Sequence, residues 1–502
     1  MVRCNVALSI AKLIGLSTLL SVGVPSRQVT NRIDAGKTYF VDPRLGNDAN
    51  SGTRAAMAWK SLIRVNQLRL GPGDTVLIGP GVHDETLMPN ASGSGSRPVV
   101  IRFAPGRHLF SAKNALSRSY FVSNSADSPT LPRPIGIFVK DSHDLRIVGV
   151  PGTEILFGAR MTYLVDDHAR DITYSGLNFD MVRPTVSEFK VVSTSLHSVV
   201  IQVAEGSTYT VNNGRFNWSG DLGPGWTMVQ EAIPSQGKCW RRGRWDPFVN
   251  ATATQLGGGR VLLTYLEGTM GLEAGHQFQF RNVIRDTTSG VNTRCKNITF
   301  RNCNFYALPG MAIVSQFTEN ITFDHVNVVP RPGTNRTCPA WADCFHFSGC
   351  RGQVLVDSCR FSGTQDDPIN VHGTHLCLVE RSGDKQVLVR FMHSQTYGFA
   401  AFQEGDEIAF TSHLSLCEYG RAKVQKLERV TDTDWRLTLD RTVPVFAPND
   451  VVENVTWNPN VVIRNCHVTM DSCRGFLITT RNQVVIENNM IASTMSAVDI
   501  AD

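Results

Sequence analysis

Five segments of the chain share a nine-residue pattern in which apolar and polar positions alternate. Each segment begins with Asn or Gln, and three of the five carry Cys at the same seventh position. The segments are NITFRNCNF at 297–305, NITFDHVNV at 320–328, QVLVDSCRF at 353–361, NVVIRNCHV at 460–468 and QVVIENNMI at 483–491. Alternation with a period of two predicts strands, and self-similarity with a period of about 20 to 50 residues predicts a solenoid. The start positions 297 and 320, and again 460 and 483, lie 23 residues apart. The pattern therefore predicts an all-β, right-handed parallel β-helix.

Two stretches interrupt this repeat. Residues 182–282 and 376–456 carry alternating strands with Gly-rich turns but lose the coil period, so we predict two small inserted β-barrel-like domains. Longer loops on ordinary coils are the alternative. The β-helix itself is then expected in three parts, which are an N-terminal part at 36–181, the catalytic coils at 283–375 and the C-terminal coils at 457–502.

The two ends of the chain give two further expectations. Residues 1–25 combine Arg3 and Lys12 with an apolar run at 13–24, which is typical of a signal peptide and predicts a secreted or periplasmic protein. A first buried helix is the alternative. The chain ends at Asp502 in a strand-like segment without a closing turn, so we expect further coils beyond it.

Composition narrows the classes of partner. The net charge of +5 is small for 502 residues, and no basic stripe interleaved with aromatic residues occurs, so we expect no nucleic-acid partner and, after signal cleavage, no membrane. Cys303, Cys359 and Cys466 occupy equivalent positions of the repeat, which predicts a stacked interior ladder. Their spacing does not suggest a zinc site, and we expect no metal.

Acidic residues converge on two successive coils. Pairing the apolar residues of 345–347 with those of 369–371 gives a shift of 24 residues, which places Asp343 directly beneath Asp367. Neighbouring coils lie about 4.8 Å apart, and Asp366 lies on the same rim. Glycoside hydrolysis needs such a group, because one acid protonates the leaving oxygen while another carboxylate activates water or attacks the sugar. An Asp-rich turn and a calcium site are the alternatives.

The geometry of stacked coils suggests a role for each acid. Asp343 and Asp367 can hold one water between them, and Asp366 projects separately as the general acid. We expect the neighbouring negative charges to favour the protonated form of Asp366, and a gap of about 6.5 to 9.5 Å between Asp366 and the other two.

Polar residues nearby are candidates for sugar binding. Asn370 and His372 follow the acidic pair and either bind sugar hydroxyls or cap the coil. Glu404 is a further candidate, and Trp341 or Tyr397 could cover the sugar ring.

The motifs around these acids are identified as those of a known family. The segments WADCFHFSGCRG at 341–352, DDPINVHGTH at 366–375, QTYGF at 395–399 and GDE at 405–407 resemble the exo-acting α-1,3-galactosidases of glycoside hydrolase family 110. This resemblance covers most of 280–410. It implies removal of a terminal α-1,3-linked galactose, of the blood group B or linear type, with inversion and without a metal or cofactor. Cys344 departs from the Gly common at this position in β-helix hydrolases and puts the local backbone in question.

Two other classes of protein would also account for the acidic residues or for the coils. Polygalacturonases share an Asp one coil below an Asp-Asp pair, but they also carry a Gly-His-Gly motif that this chain lacks. A non-catalytic, carbohydrate-binding β-helix adhesin would share the coils but has no need for three converging acids.

Overall fold

A computed structural model describes residues 36–125, 131–220 and 222–500 of the chain. Three sheets run along a β-helix, and most coils contribute one strand to each sheet. Sheet 1 contains the strands Thr38–Val41, Thr75–Ile78, Val99–Phe103, His143–Gly149, Arg170–Ser175, Lys296–Arg301, Glu319–Asp324, Arg351–Asp357, Pro459–Arg464 and Val484–Glu487. Sheet 2 contains Gly81–Glu85, Gly106–Asn114, Thr153–Phe157, Asn178–Met181, Asn304–Phe305, Asn327–Val328, Arg360–Ser362, His467–Asp471 and Met490–Ser493. Sheet 3 contains Ser117–Arg118, Arg133–Lys140, Thr162–Asp167, Thr288–Thr293, Met311–Gln316, Phe345–Ser348, Ile369–His372, Phe476–Ile478 and Val498–Asp499. Ser117–Arg118 pairs antiparallel, and every other neighbouring pair in the three sheets is parallel.

The Asn that opens the repeat has a structural cause. Asp171, Asn297 and Asn320 all have φ between 56° and 59°, a left-handed conformation that Asn and Asp tolerate better than most residues. Their side chains form a ladder, since the Asn297 amide donates to Asp171 at 2.7 Å and the Asn320 amide donates to Asn297 at 2.9 Å. The predicted period is confirmed, because Ile298 pairs with Ile321, 23 residues later.

The interior of the coils is filled by stacked side chains. Tyr174, Phe300, Phe323 and Phe345 form a continuous stack with ring centroids 4.9, 5.0 and 4.0 Å apart. The cysteines of the repeat, at 303, 359 and 466, are fully buried, and none of the cysteines among the described residues forms a disulfide. The ladder is therefore held by packing.

Two antiparallel units interrupt the β-helix. The first is a seven-stranded sheet with an additional hairpin, and its strands are Val186–Thr194, Ser198–Val203, Tyr209–Asn212, Arg215–Trp218, Met228–Ile233, Lys238–Gly243, Ala251–Gly257, Arg260–Tyr265 and Gln277–Arg281. The second is a closed six-stranded barrel, and its strands are His375–Gly383, Gln386–Arg390, Glu407–Thr411, Glu418–Arg429, Asp434–Leu439 and Val451–Asn454. We call them the first and the second insertion.

Helical structure is minor in the described residues. A four-residue α-helix at Ile63–Asn66 and 3-10 turns at Ala55–Met57 and Pro234–Gln236 accompany a small strand pair, Arg69–Leu70 with Asn90–Ala91. No helix in the described part of the chain has the length and apolar character needed to cross a membrane. The predicted signal peptide, 1–25, lies outside the described residues.

The insertions flank one sheet. The first leaves the β-helix after a strand of sheet 2 and returns before a strand of sheet 3, whereas the second leaves after a strand of sheet 3 and returns before a strand of sheet 1. The outer face of sheet 3 therefore lies between the two insertions.

Candidate active site

A ladder of charged residues runs along the edge of sheet 3 that faces the first insertion. Phe345 pairs with Ile369, the predicted shift of 24 residues, so Asp343 stacks beneath Asp367. Ile369 pairs in turn with Phe476, which places Arg474 one coil beyond Asp367. The ladder therefore reads Asp343, Asp367, Arg474.

The backbone of this ladder is regular. The Cys344 amide donates to the Asp367 carbonyl at 3.0 Å, and the Phe345 amide donates to the Pro368 carbonyl at 3.0 Å. Cys344 is fully buried in the coil interior. The departure from Gly at this position therefore leaves the parallel pairing of the two coils intact.

Asp343 is enclosed by donors. Its Oδ2 accepts a hydrogen bond from the Asn370 amide at 3.0 Å and lies 2.8 Å from Nδ1 of His346. Burial opposes ionisation of this carboxyl, but the hydrogen bond and the charge of His346 outweigh it and lower the pKa of Asp343. Asp343 is thus a buried carboxylate.

Asp367 is held by one arginine. Nε and Nη2 of Arg474 donate to its two oxygens at 3.0 and 2.9 Å, and its side chain is 1% exposed. Burial and then the negative charges of Asp343 and Asp366 raise the pKa of Asp367 to about 6, although Arg474 opposes this shift. Of the two carboxyl groups in the ladder, Asp367 therefore has the pKa closer to neutral pH.

Asp366 has a different environment. Its side chain is 16% exposed, the most open of the three acids. Arg285 donates to its Oδ2 at 2.8 Å, and Arg241 of the first insertion lies 3.6 Å from its Oδ1. The coil pattern predicts the acidic neighbours of Asp366 but not these two guanidinium groups.

The spacing between the acids also differs from the expectation. Ligand atoms of Asp366, Asp367 and Cys473 all lie within 4.8 Å of one another, which is shorter than the gap of about 6.5 to 9.5 Å expected between an acid and a base that admit water. The prediction is therefore wrong for Asp366 and Asp367, because the two residues are adjacent in one turn. Asp343 lies in the coil before Asp366 and Asp367, about 4.8 Å away along the solenoid axis.

A cavity with polar and apolar lining residues opens beside the ladder on the outer face of sheet 3. It has a volume of about 360 Å³, and Arg474 connects it to Asp367. Buried oxygens in its lining have no hydrogen-bond partner among the described residues, namely Ser348 Oγ, Asn370 Oδ1 and Thr374 Oγ1. Unsatisfied buried polar atoms are costly, so this lining suits a ligand with several hydroxyl groups.

Two segments of the chain form a wall on one side of the cavity. The segment 120–124 contributes Asn124, whose backbone N–H donates to Thr396 Oγ1 at 2.9 Å, and the second insertion contributes 391–396. Gly398 has φ +84°, and a Cβ there would lie 2.1 Å from the ring of Phe121. The two halves of the wall are therefore tightly joined.

The structure distributes the predicted binding residues unequally. Asn370 and His372 both line the cavity. Glu404 lies in an exposed turn of the second insertion and is not among the lining residues. Trp341 is 2% exposed and donates to Thr185, so its ring is covered, whereas Tyr397 packs against Phe121 in the wall.

Four charged residues of the site were not foreseen from the sequence. Arg474 could have been found by continuing the coil alignment from Asp367 past the second insertion, and His346 by noting its outward position between Phe345 and Phe347. Arg241 and Arg285 carry no such signal, because the first insertion and its return segment have no period.

The one group of at least three metal-type ligands within reach of each other in the described residues is Asp366, Asp367 and Cys473. Arg285 and Arg474 already supply positive charge to these two acids. A cation would have to compete with both guanidinium groups.

Comparisons with known proteins agree with this architecture. Residues 386–452 match the family model described as GLAA-B beta-barrel domain II, which covers most of the second insertion. The chain is 37% identical to alpha-1,3-galactosidase A of Akkermansia muciniphila over 95% of its own length and 80% of that relative. It is 36% identical to alpha-1,3-galactosidase A of Bacteroides thetaiotaomicron over 81% of this chain and 72% of the relative. Identity to alpha-1,3-galactosidase B of the same organism is 26%, over 80% of this chain and 66% of the relative.

Likeness over nearly the whole chain makes this protein a glycoside hydrolase built on a parallel β-helix, and an α-galactosidase. It belongs to the α-1,3-galactosidases of glycoside hydrolase family 110.

Proposed function

We propose that this α-galactosidase removes single terminal α-1,3-linked galactose residues with inversion, and that Asp343, Asp366 and Asp367 carry the reaction. The observation that carries this proposal is the convergence of the three acids beside a cavity whose buried oxygens lack partners. A galactose ring offers hydroxyl groups to such a lining.

Exposure separates the roles of the acids. A general acid has to reach the glycosidic oxygen, and Asp366 is the most exposed of the three. Asp366 therefore donates a proton to the leaving oxygen, and Arg285 and Arg241 then stabilise the carboxylate that remains.

The base is assigned to Asp343. Its lowered pKa keeps it ionised, and its place one coil before Asp367 leaves more room for water between it and Asp366. Asp367, fixed by Arg474, helps to hold this water, while Asp343 accepts its proton as it attacks the anomeric carbon.

The wall supports exo-action. Asn124 and Thr396 join two segments on one side of the cavity, and we expect this wall to obstruct a continuing polymer while a chain end can enter. Contacts of a terminal sugar with Asn370 and His372 follow from their place in the lining.

Three assays test the proposal. We expect hydrolysis of galactosyl-α-1,3-galactose and of p-nitrophenyl α-galactoside, with no release of fragments from polygalacturonate. Time-resolved proton NMR should show β-galactose as the first product. An α-anomer first would overturn inversion, and release of oligosaccharides rather than galactose would overturn exo-action.

Export is a separate proposal. It is supported by the apolar run at 13–24 behind two basic residues. N-terminal sequencing of the protein recovered outside the cytoplasm should begin close to residue 26, and an intact Met1 would contradict it.

A further inference from the structure

Four groups form a hydrogen-bonded chain behind the proposed base. The carbonyl of Gly373 lies 2.7 Å from Nδ1 of His372. Nε2 of His372 lies 3.0 Å from Nε2 of His346, whose Nδ1 lies 2.8 Å from Oδ2 of Asp343. This hydrogen-bonded chain joins the backbone at Gly373 to the carboxylate of Asp343 in the preceding coil.

The directions of these bonds follow from the chemistry of the groups. A carbonyl oxygen only accepts, so Nδ1 of His372 carries a hydrogen. Burial and the neighbouring His346 lower the pKa of His372 to about 3, so the ring is neutral and its Nε2 accepts.

His346 must then donate through Nε2, and its Nδ1 faces a carboxyl group. A neutral ring with hydrogen on Nε2 has none on Nδ1, so one additional proton is shared by His346 and Asp343. The Asn370 amide donates to the same oxygen of Asp343 and favours the carboxylate. The shared proton therefore belongs to Nδ1 of His346.

We propose that His346 is the positioning residue of Asp343, and that His372 holds His346 in the protonated form that this requires. The proposal rests on the role of Asp343 given above. The side chains of both partners are almost fully buried, at 1% and 2% exposure, and a buried charge is tolerated when it is paired. The histidine chain thus keeps Asp343 ionised beside Asp367.

Other groups face this chain from several elements. Ser123 Oγ of the wall lies 3.3 Å from Nε2 of His346. The charge of Arg285 also acts on Asp343 and favours its ionised form, whereas His375 acts on His372 and disfavours its protonation. Arg285 and His375 therefore favour the same charge states as the proposed hydrogen-bonded chain, an ionised Asp343 and a neutral His372.

Two variants of His372 distinguish the effect of losing the hydrogen-bond acceptor for His346 from the effect of losing the imidazole ring. His372→Gln retains an oxygen that can accept from His346, whereas His372→Leu removes it. Asp367 sets the upper part of the acidic limb of kcat/KM, so the protonation of Asp343 should appear as a second, lower step. We expect this lower step to move upward by about one pH unit in His372→Leu and by less than about half of that in His372→Gln. His467→Leu is the matched control, because His467 is an exposed residue of sheet 2 and does not line the cavity, and its acidic limb should stay in place.

Nitrogen NMR of the histidine rings provides a readout independent of turnover. At pH 7.5 we expect His372 to carry hydrogen on Nδ1 alone and His346 on both nitrogens, with signals assigned by their loss in His372→Gln and His346→Gln. Hydrogen on Nε2 of His372, or an unmoved lower step of the acidic limb in His372→Leu, would overturn the inference even if Asp343→Asn is inactive. An active Asp343→Asn variant would instead overturn the role of Asp343, whatever the rings show.

Discussion

The three acids Asp343, Asp366 and Asp367 form a cluster whose base side and acid side have different environments. On the base side, Asp343 and Asp367 are buried, and their partners His346, Asn370 and Arg474 all come from coils of the β-helix. On the acid side, Asp366 is partly exposed, and it meets one arginine from the first insertion and one from the segment by which that insertion returns. The repeat thus supplies a rigid base, and the irregular insertion sets the environment of the acid.

The largest expected effect lies on the base side. Asp343→Asn should lower kcat about 10² to 10⁴-fold, the usual contribution of a positioned proton-transfer group. Because water has to be activated whatever the leaving group, the loss should be similar on galactosyl-α-1,3-galactose and on p-nitrophenyl α-galactoside. Steady-state kinetics on both substrates measures it. The control is Asp357→Asn, which removes an aspartate paired with Arg464 away from the site and should retain full kcat.

The acid side should respond selectively. Asp366→Asn should lose about 10² to 10⁴-fold in kcat on the disaccharide, but less than about tenfold on p-nitrophenyl α-galactoside, because a nitrophenolate leaves without being protonated. The ratio of the two losses is the measurement. Equal losses on both substrates would remove the distinction between the two sides.

The comparison also explains how far the sequence could predict the structure. The repeat places Asp343 beneath Asp367, because inward residues such as Phe345 and Ile369 fix the register of every side chain on a coil. The register can be extended from Asp367 to Arg474 only if the coil after the second insertion is aligned directly with the coil before it. Arg241 could not be anticipated, because its position depends on how an aperiodic sheet packs against the β-helix. The position of Glu404 relative to the cavity could not be predicted, because the second insertion has no coil period that fixes which of its faces meets the cavity.

A smaller effect should appear in the pH dependence of the base side. The pKa of Asp367 is about 6, so kcat/KM should fall as the pH falls through about 6 and the carboxylate becomes protonated. Arg474 lowers this pKa, so Arg474→Met should move the acidic limb upward, by about one pH unit. Arg474→Lys should shift it less, because one positive charge remains. Arg464→Met, which breaks a similar ion pair with Asp357, should leave the limb unmoved, and a downward shift in Arg474→Met would contradict the assignment.

The smallest expected effect concerns the wall, which belongs to neither side. Thr396→Val keeps the shape of the side chain but removes the oxygen that accepts from Asn124 at 2.9 Å. One hydrogen bond contributes about 0.5 to 1.5 kcal/mol, so kcat/KM should fall by about two- to tenfold. The loss should be the same on both substrates, because the wall contacts the galactose end rather than the leaving group. Thr396→Ser retains the hydroxyl and should stay within about twofold of the parent. A loss confined to the disaccharide would show that the wall faces the leaving group, and the cavity would then have to be assigned to the other half of the substrate.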